Sequence, residues 1–347
     1  MRMFRDKDYV ETQEEWFFCI VGEEHPHDRV IAYLKYLPGD GVWSRWGKSF
    51  KRTICTYSMQ ELLDTINFLK KNKPEYVFYD ETIDAEMSCV PFNKISKLYR
   101  CDERLHDMME SDNLDELESK TKELVELITA VSGVEIKNMG ITGSILLKMH
   151  HQRSDIDLVV YGKNNFWKVL HNLHSIDGVK PLDEFRLNDW IRRTSMKYPI
   201  PVSKISRLAR LLRNKCIYKG TPFSIHGVRL DEEVTRSYGE VVYRRLGLAK
   251  IRAVISDASE SCFMPAIYKL SDVEAEQEYA KDVEILACFD GTFTAMFKEG
   301  TRIEAFGKVE CVTNLRSGRH FKWLLIGTFE GMNKEYAIPI EETLSPR

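Results

Sequence analysis

The sequence predicts an α+β chain of several domains, in which a central mixed sheet with helices is followed by a small C-terminal β-barrel. Three observations carry that expectation. The 347 residues are enough for two or three domains. Up to about residue 240 the apolar pattern switches repeatedly between the period of a strand and that of a helix. From Gly247 onward it changes to short strands parted by the turn dipeptides Asp290-Gly291, Glu299-Gly300, Ser317-Gly318 and Glu330-Gly331.

Residues 1–111 read as an N-terminal α+β module. The apolar runs at 16–21 and 30–34 are buried strands, separated by the turn-prone His25-Pro26-His27-Asp28. Ser58 with Glu61 makes a capping box, and Leu62, Ile66 and Leu69 follow as the apolar stripe of a helix that ends near Lys73-Pro74. Another strand follows at 76–79. His25, His27 and Asp28 are metal-ligand types, but two histidines around a loop proline read as turn residues.

Residues 112–240 form the central module. A helix over 113–131 turns Leu117, Leu124, Leu127, Ile128 and Val131 inward and is stopped by Gly133. A short strand at 136–142, one or two helical turns at 145–151, a strand from Asp155 and a helix over 165–173 come next. Tyr198-Pro199-Ile200-Pro201 is a rigid joint before a basic helix, and residues 221–230 form a third core strand. The last module, 241–347, has strand signals at 249–255, 262–270, 284–289, 293–297, 301–312, 321–328 and 336–340. Even spacing of this kind suggests a closed barrel, and the run Glu299 to Glu310 resembles oligonucleotide-binding (OB) barrels. Phe289, Phe293, Phe297 and Phe306 alternate there as barrel core or as faces on which bases stack.

With 43% hydrophobic and 30% charged residues the composition is that of a soluble globular protein. No apolar run is long enough to cross a bilayer and the start of the chain lacks a secretory segment, so a cytoplasmic protein with no membrane partner is expected. The 8 cysteines lack zinc spacing and read as reduced, mostly buried thiols. A net charge of −3 gives no global attraction to nucleic acid. Between Asp189 and Asp231, however, there is no acidic residue while ten lysines and arginines fall there. Ile205, Leu208, Leu211 and Leu212 recur at helical spacing within it, which leaves Arg207, Arg210 and Arg213 on another face, suited to a triphosphate tail or a polynucleotide strand if not simply solvated.

The most informative stretch is Gly140 to Tyr161, G-I-T-G-S-I-L-L-K-M-H-H-Q-R-S-D-I-D-L-V-V-Y. Asp155 and Asp157 alternate with Ile156 and Leu158, so both carboxylates share one face of a strand. Two such carboxylates resist ionising together unless a cation lies between them, and oxygen ligands beside nucleotide phosphates imply Mg²⁺, with Mn²⁺ able to replace it. Upstream, Gly143 lets the backbone approach a phosphate closely, and the Ser144 hydroxyl and free N–H groups can bond its oxygens.

This stretch resembles the DNA polymerase beta-like nucleotidyltransferase superfamily, whose signature is an apolar residue and Gly-Ser, a short helix, then Asp-apolar-Asp-apolar. The match runs through Gly143, Ser144, Asp155, Ile156, Asp157 and Leu158, led by Arg153-Ser154, with Thr142 where an apolar residue is more usual. The resemblance implies that residues 112–240 are a minimal nucleotidyltransferase core. Gly143, Ser144 and Arg153 would then grip the phosphates of an NTP, Asp155 and Asp157 would be the catalytic metal ligands, and an acceptor hydroxyl would take the nucleoside monophosphate with release of pyrophosphate. The superfamily usually carries a third carboxylate on the third core strand. Here Ser224 and His226 hold the inward positions and the first acids, Asp231, Glu232 and Glu233, lie just beyond. Either one of those, Glu232 for instance, reaches the site or a second metal is weak or absent; His226 would orient a phosphate, act as a base or be satisfied by its neighbours. The acceptor is an RNA or DNA end, a protein side chain or a small molecule. The competing expectations are a nucleotide- or nucleic-acid-binding protein that keeps the fold without turnover, and an assembly scaffold.

Overall fold

A computed structural model describes residues 4–340; the ends of the first and last expected modules, 1–3 and 341–347, lie outside the described residues. Three sheets follow one another along the chain. The first contains β1 (Tyr9–Thr12), β2 (Phe17–Ile20), β3 (Arg29–Arg45), β4 (Lys48–Arg52), β5 (Val77–Asp80), β6 (Ala85–Pro91) and β7 (Ile95–Tyr99), in the order β5-β6-β3-β2-β1-β7 with β4 paired to β3. Helix α1 (Met59–Asn72) starts at Ser58, whose hydroxyl accepts the Glu61 amide at 3.2 Å. Only half of the expected capping box forms. The Glu61 carboxylate accepts from the amides of Cys55 and Thr56, at 3.2 and 2.8 Å, because the loop before the helix folds back across its start.

Helices α2 (Cys101–Glu110) and α3 (Glu116–Ser132) lead into the second sheet. Asp115 and Glu118 form a full capping box on α3, and Gly133, at φ 68°, ends it. The sheet holds β8 (Met139–Thr142), β9 (Ile156–Tyr161), β10 (Val179–Pro181), β11 (Lys215–Tyr218) and β12 (Thr221–Val228) in the order β10-β11-β12-β9-β8. Only β9 and β12 run parallel. On β9, Ile156, Leu158 and Val160 pack toward a core with Leu124 and Ile128 of α3 and Phe166 and Val169 of α5 (Lys163–Asn172). Val159 and Tyr161 point the other way, into a cluster with Tyr9, Phe17, Tyr36 and Tyr99. The first sheet therefore covers the face of the second that carries the aspartates. Val131 is the exception among the residues expected inside α3; it is exposed at the last turn.

After α6 (Glu184–Ser195), the basic helix α7 (Val202–Ala209) is shorter than its spacing suggests. Arg210 is its C-cap, and Leu211 and Leu212 swing into the next core, so Arg213 lies beyond the helix. Asn214 then anchors the turn to β12, accepting the Ile225 amide on its carbonyl at 3.0 Å.

The third sheet contains β13 (Val241–Asp257), β14 (Ala266–Ala275), β15 (Val283–Cys288), β16 (Arg302–Asn314), β17 (His320–Ile326) and β18 (Tyr336–Pro339). Five strands close a barrel in the order β13-β14-β15-β17-β16 and back to β13, with β15 and β17 parallel and β18 added to β16. The expected strand at 293–297 is instead a turn across one end of the barrel. The Asp290 carboxylate captures the Thr292 amide at 2.7 Å, and the Tyr268 hydroxyl donates to the Phe293 carbonyl at 2.5 Å. Phe293 and Phe297 fill the barrel core, Phe289 is exposed and Phe306 stacks on Tyr336. Six of the 8 cysteines are buried, all are free, and no described helix is long and apolar enough to cross a membrane.

Candidate functional site

Thr142, Asp157 and Ser224 stand side by side across β8, β9 and β12, because register pairs Asp157 with both neighbours. Strand β8 ends at Thr142, and Gly143 turns the chain at φ 70° into the short helix α4 (Gly143–Leu146). A Cβ at Gly143 would meet Asp157 Oδ2 at 2.8 Å, so the turn lies directly over that carboxylate. Glycine is required here twice over, for its backbone angle and for the space. On its other side Asp157 Oδ1 accepts the Ser224 hydroxyl at 2.6 Å and lies 3.4 Å from His226 Nε2. Ser224 Oγ is in turn 2.9 Å from the same imidazole nitrogen. Asp155 precedes the strand and is exposed at the mouth of the cavity.

The two carboxyls are pushed apart in acidity. Burial alone would raise Asp157, but hydrogen bonding and charge from His226, with Lys35 and Ser224, hold it well below the usual carboxylate range. Asp155 is raised, chiefly by the negative charge of Asp157. Burial lowers the His226 pKa, against the pull of Asp157. Asp157 Oδ2 and the Asp155 carboxylate remain open to a ligand, and these hard oxygen donors fit Mg²⁺ or Mn²⁺ completed by phosphate and water.

Around them is a cavity of about 210 Å³ lined by Gly143, Ser144, Arg153, Ser154, Asp155 and Asp157 from the second sheet. Its opposite wall, which the sequence reading misses, comes from the first sheet: Lys35, Tyr36 and Trp43 of β3 and Arg52 of β4. Lys35 is the extra residue of a bulge, since Phe17 pairs with Tyr36 and Phe18 with Leu34. The bulge changes the strand's parity and lets Lys35 and Tyr36 both face the cavity. A lysine in the middle of the apolar run Val30 to Leu37 was the available signal.

Other expected residues fall elsewhere. Glu232 is exposed past the end of β12, beside the Tyr161 end of β9, whereas the aspartates lie at the opposite end of that strand. Parallel pairing carries the chain away from the site, so Glu232 does not supply a third carboxylate. Asp231 pairs with Arg5, and Glu233 accepts the amides of Lys163 and Leu230. Arg207, Arg210 and Arg213 do not line the cavity and do not form one row. α7 packs against the barrel, Arg210 is exposed, and Arg213 donates to the Ala295 carbonyl at 2.7 Å with its guanidinium 5.6 Å from the Trp167 ring. His25 accepts the Ile31 amide and Asp28 pairs with Arg29, as turn residues do. Among the described residues Asp115, Glu118 and His150 cluster as metal-ligand types, but the two acids cap α3, Asp115 also pairs with His150 and Glu118 with Arg104.

The fold and cavity define an α+β chain with a two-carboxylate site at a cavity lined by two sheets, followed along the chain by a closed barrel. The chain belongs to the same family as the uncharacterized protein MJ1086 of Methanocaldococcus jannaschii, to which it is 31% identical over 340 residues, covering 96% of this chain and 98% of that protein. No family model matches the chain, and no solved structure does.

Proposed function

We propose that the protein is a Mg²⁺-dependent nucleotidyltransferase that moves a nucleoside monophosphate from an NTP to an acceptor hydroxyl. One observation carries the reading: the Gly143-Ser144 turn sits directly over Asp157, in a cavity that Asp155 shares with Arg153, Lys35 and Arg52. Backbone and cations suited to an anion, beside carboxylates suited to a hard cation, support the two halves of a metal-nucleotide complex. Asp155 and Asp157 would hold Mg²⁺, which when bound neutralises charge at the reacting phosphate. Ser224 and His226 keep Asp157 ionised and oriented. Gly143, Ser144 and Arg153 hold the phosphates in line while the hydroxyl oxygen bonds the α-phosphorus and gives up its proton to solvent, and the bridge to the β-phosphate breaks to release pyrophosphate. The five-stranded barrel, whose order resembles that of oligonucleotide-binding barrels, supports an RNA or DNA acceptor.

Pyrophosphate release from labelled NTPs, with RNA, DNA and protein acceptors, tests the reading. Asp157→Asn should fold normally and lose roughly 100-fold or more of Mg²⁺-dependent release, because a hard-cation site loses a charged ligand. Wild-type turnover in the Asp155→Asn/Asp157→Asn double variant would rule the assignment out. Ser224, opposite Asp157 where a third carboxylate would stand, favours a second reading, a nucleotide binder without turnover. Calorimetric binding of Mg²⁺-NTP with no pyrophosphate from any acceptor would select it.

A further inference from the structure

We propose that Lys35 and Arg52, from the first sheet, bind the phosphate chain of the ligand held on the Gly143-Ser144 turn, so that two sheets rather than one build the anion site. The identity of that ligand as a nucleotide rests on the transferase reading; the assignment of the two cations rests on their own surroundings. Lys35 is 6% exposed, and its ammonium lies 5.6, 5.9 and 5.4 Å from the rings of Tyr9, Tyr36 and Tyr57. Among the described residues no carboxylate lies within ion-pair distance of it. Arg52 donates to the Tyr57 hydroxyl at 3.1 Å and stands over the Trp43 and Tyr36 rings, while its buried Nε has no hydrogen-bond partner among the described residues.

Such an arrangement is costly on its own. A buried ammonium and a half-buried guanidinium supported by ring faces recover only part of their lost hydration. Both side chains line the cavity, where with Arg153 they make three cations against the two aspartates. Once a divalent ion is held by those aspartates, the cavity carries a surplus of positive charge that a polyphosphate matches. The bulge at Lys35 serves the same end, since a regular strand would not turn Lys35 and Tyr36 to one side. A merely structural lysine gains nothing from that geometry, because an apolar side chain would fill the place at lower cost.

The test uses the full chain, inorganic tripolyphosphate with Mg²⁺ as the anion probe, and Mn²⁺ alone as the metal probe. Lys35→Met and Arg52→Gln should each weaken tripolyphosphate binding by about 10- to 100-fold, the loss expected for charge-assisted hydrogen bonds. Both variants should bind Mn²⁺ alone as tightly as wild type or more tightly, because a repelling cation has been removed. A structural role would weaken both probes together, and that result overturns the proposal. So would variants that hold tripolyphosphate like wild type, or a wild type that does not bind it. Should Lys35→Met not fold, Arg52→Gln, only half-buried, decides alone. Pyrophosphate release keeps the two readings distinct. If tripolyphosphate binding depends on Lys35 and Arg52 but no NTP yields pyrophosphate, the anion site stands and the transferase reading falls.

Discussion

Asp8 shows how a single buried carboxyl can be read in solution. It is 1% exposed, and although the Cys101 amide donates to Oδ1 at 2.9 Å, Oδ2 has no hydrogen-bond partner among the described residues. Burial pushes its pKa up from 3.8 to about 7. The folded state therefore keeps a proton that the unfolded chain has released between those values. The associated stability is fully present below pH 3.8 and is lost as the pH rises through 7, at ~1.4 kcal/mol per unit. Asp8→Asn keeps the oxygen that accepts from Cys101 and removes the charge. Its melting temperature should exceed that of wild type at pH 8, with the difference vanishing toward pH 4; a gap independent of pH would show that the Asp8 charge is not the cause. The side chains of β9 were legible because alternation alone sends Asp157 to one face and Ile156 and Leu158 to the other. Lys35 was legible only as a misfit in an apolar run, since the bulge that aims it depends on how β2 pairs with β3, and that pairing is not written in either strand alone.

Helix ends were readable where a local device makes them, as with Asp115 and Gly133 around α3. They were not where a neighbour decides. The apolar spacing through Leu212 continues a helix that the chain leaves at Ala209, with Leu211 and Leu212 packing, partly buried, against the barrel core. In the same way residues 293–297 look like a strand, yet Asp290 and Tyr268 take their backbone groups first. The early end of α7 separates the two arginines that regular spacing would have aligned. Arg213→Glu should cost about 1–3 kcal/mol, since it removes a half-buried donor from the Ala295 carbonyl and sets a carboxylate against it. Arg210→Glu should stay within ~0.5 kcal/mol. Urea midpoints of the two variants check this, and equal effects would place both side chains on a solvated surface.

At the scale of the molecule the first and second sheets share one core. Leu146, Leu147, Met149, Val159, Tyr161 and Val228 pack against Tyr9, Phe17, Tyr36 and Tyr99. Uncovering six such side chains forfeits ~1.5–3 kcal/mol each, a sum comparable to the net stability of a whole protein. A fragment beginning at residue 112 should therefore bind a hydrophobic dye and melt without a sharp transition, and a cooperative melt with no dye binding would contradict the shared core. Composition and turn chemistry announced the closed barrel and the α+β class. Contact between sheets was beyond them, because an apolar face does not say which partner will cover it. The shared core also sets an order in time. Lys35 and His226 are 191 positions apart, so at ~5–20 residues per second a ribosome takes roughly 10–40 s to pass from one to the other. During that interval the covering for the tyrosine-lined face of the first sheet is still being made, and the cavity between the sheets exists only once both have been completed, ahead of the barrel.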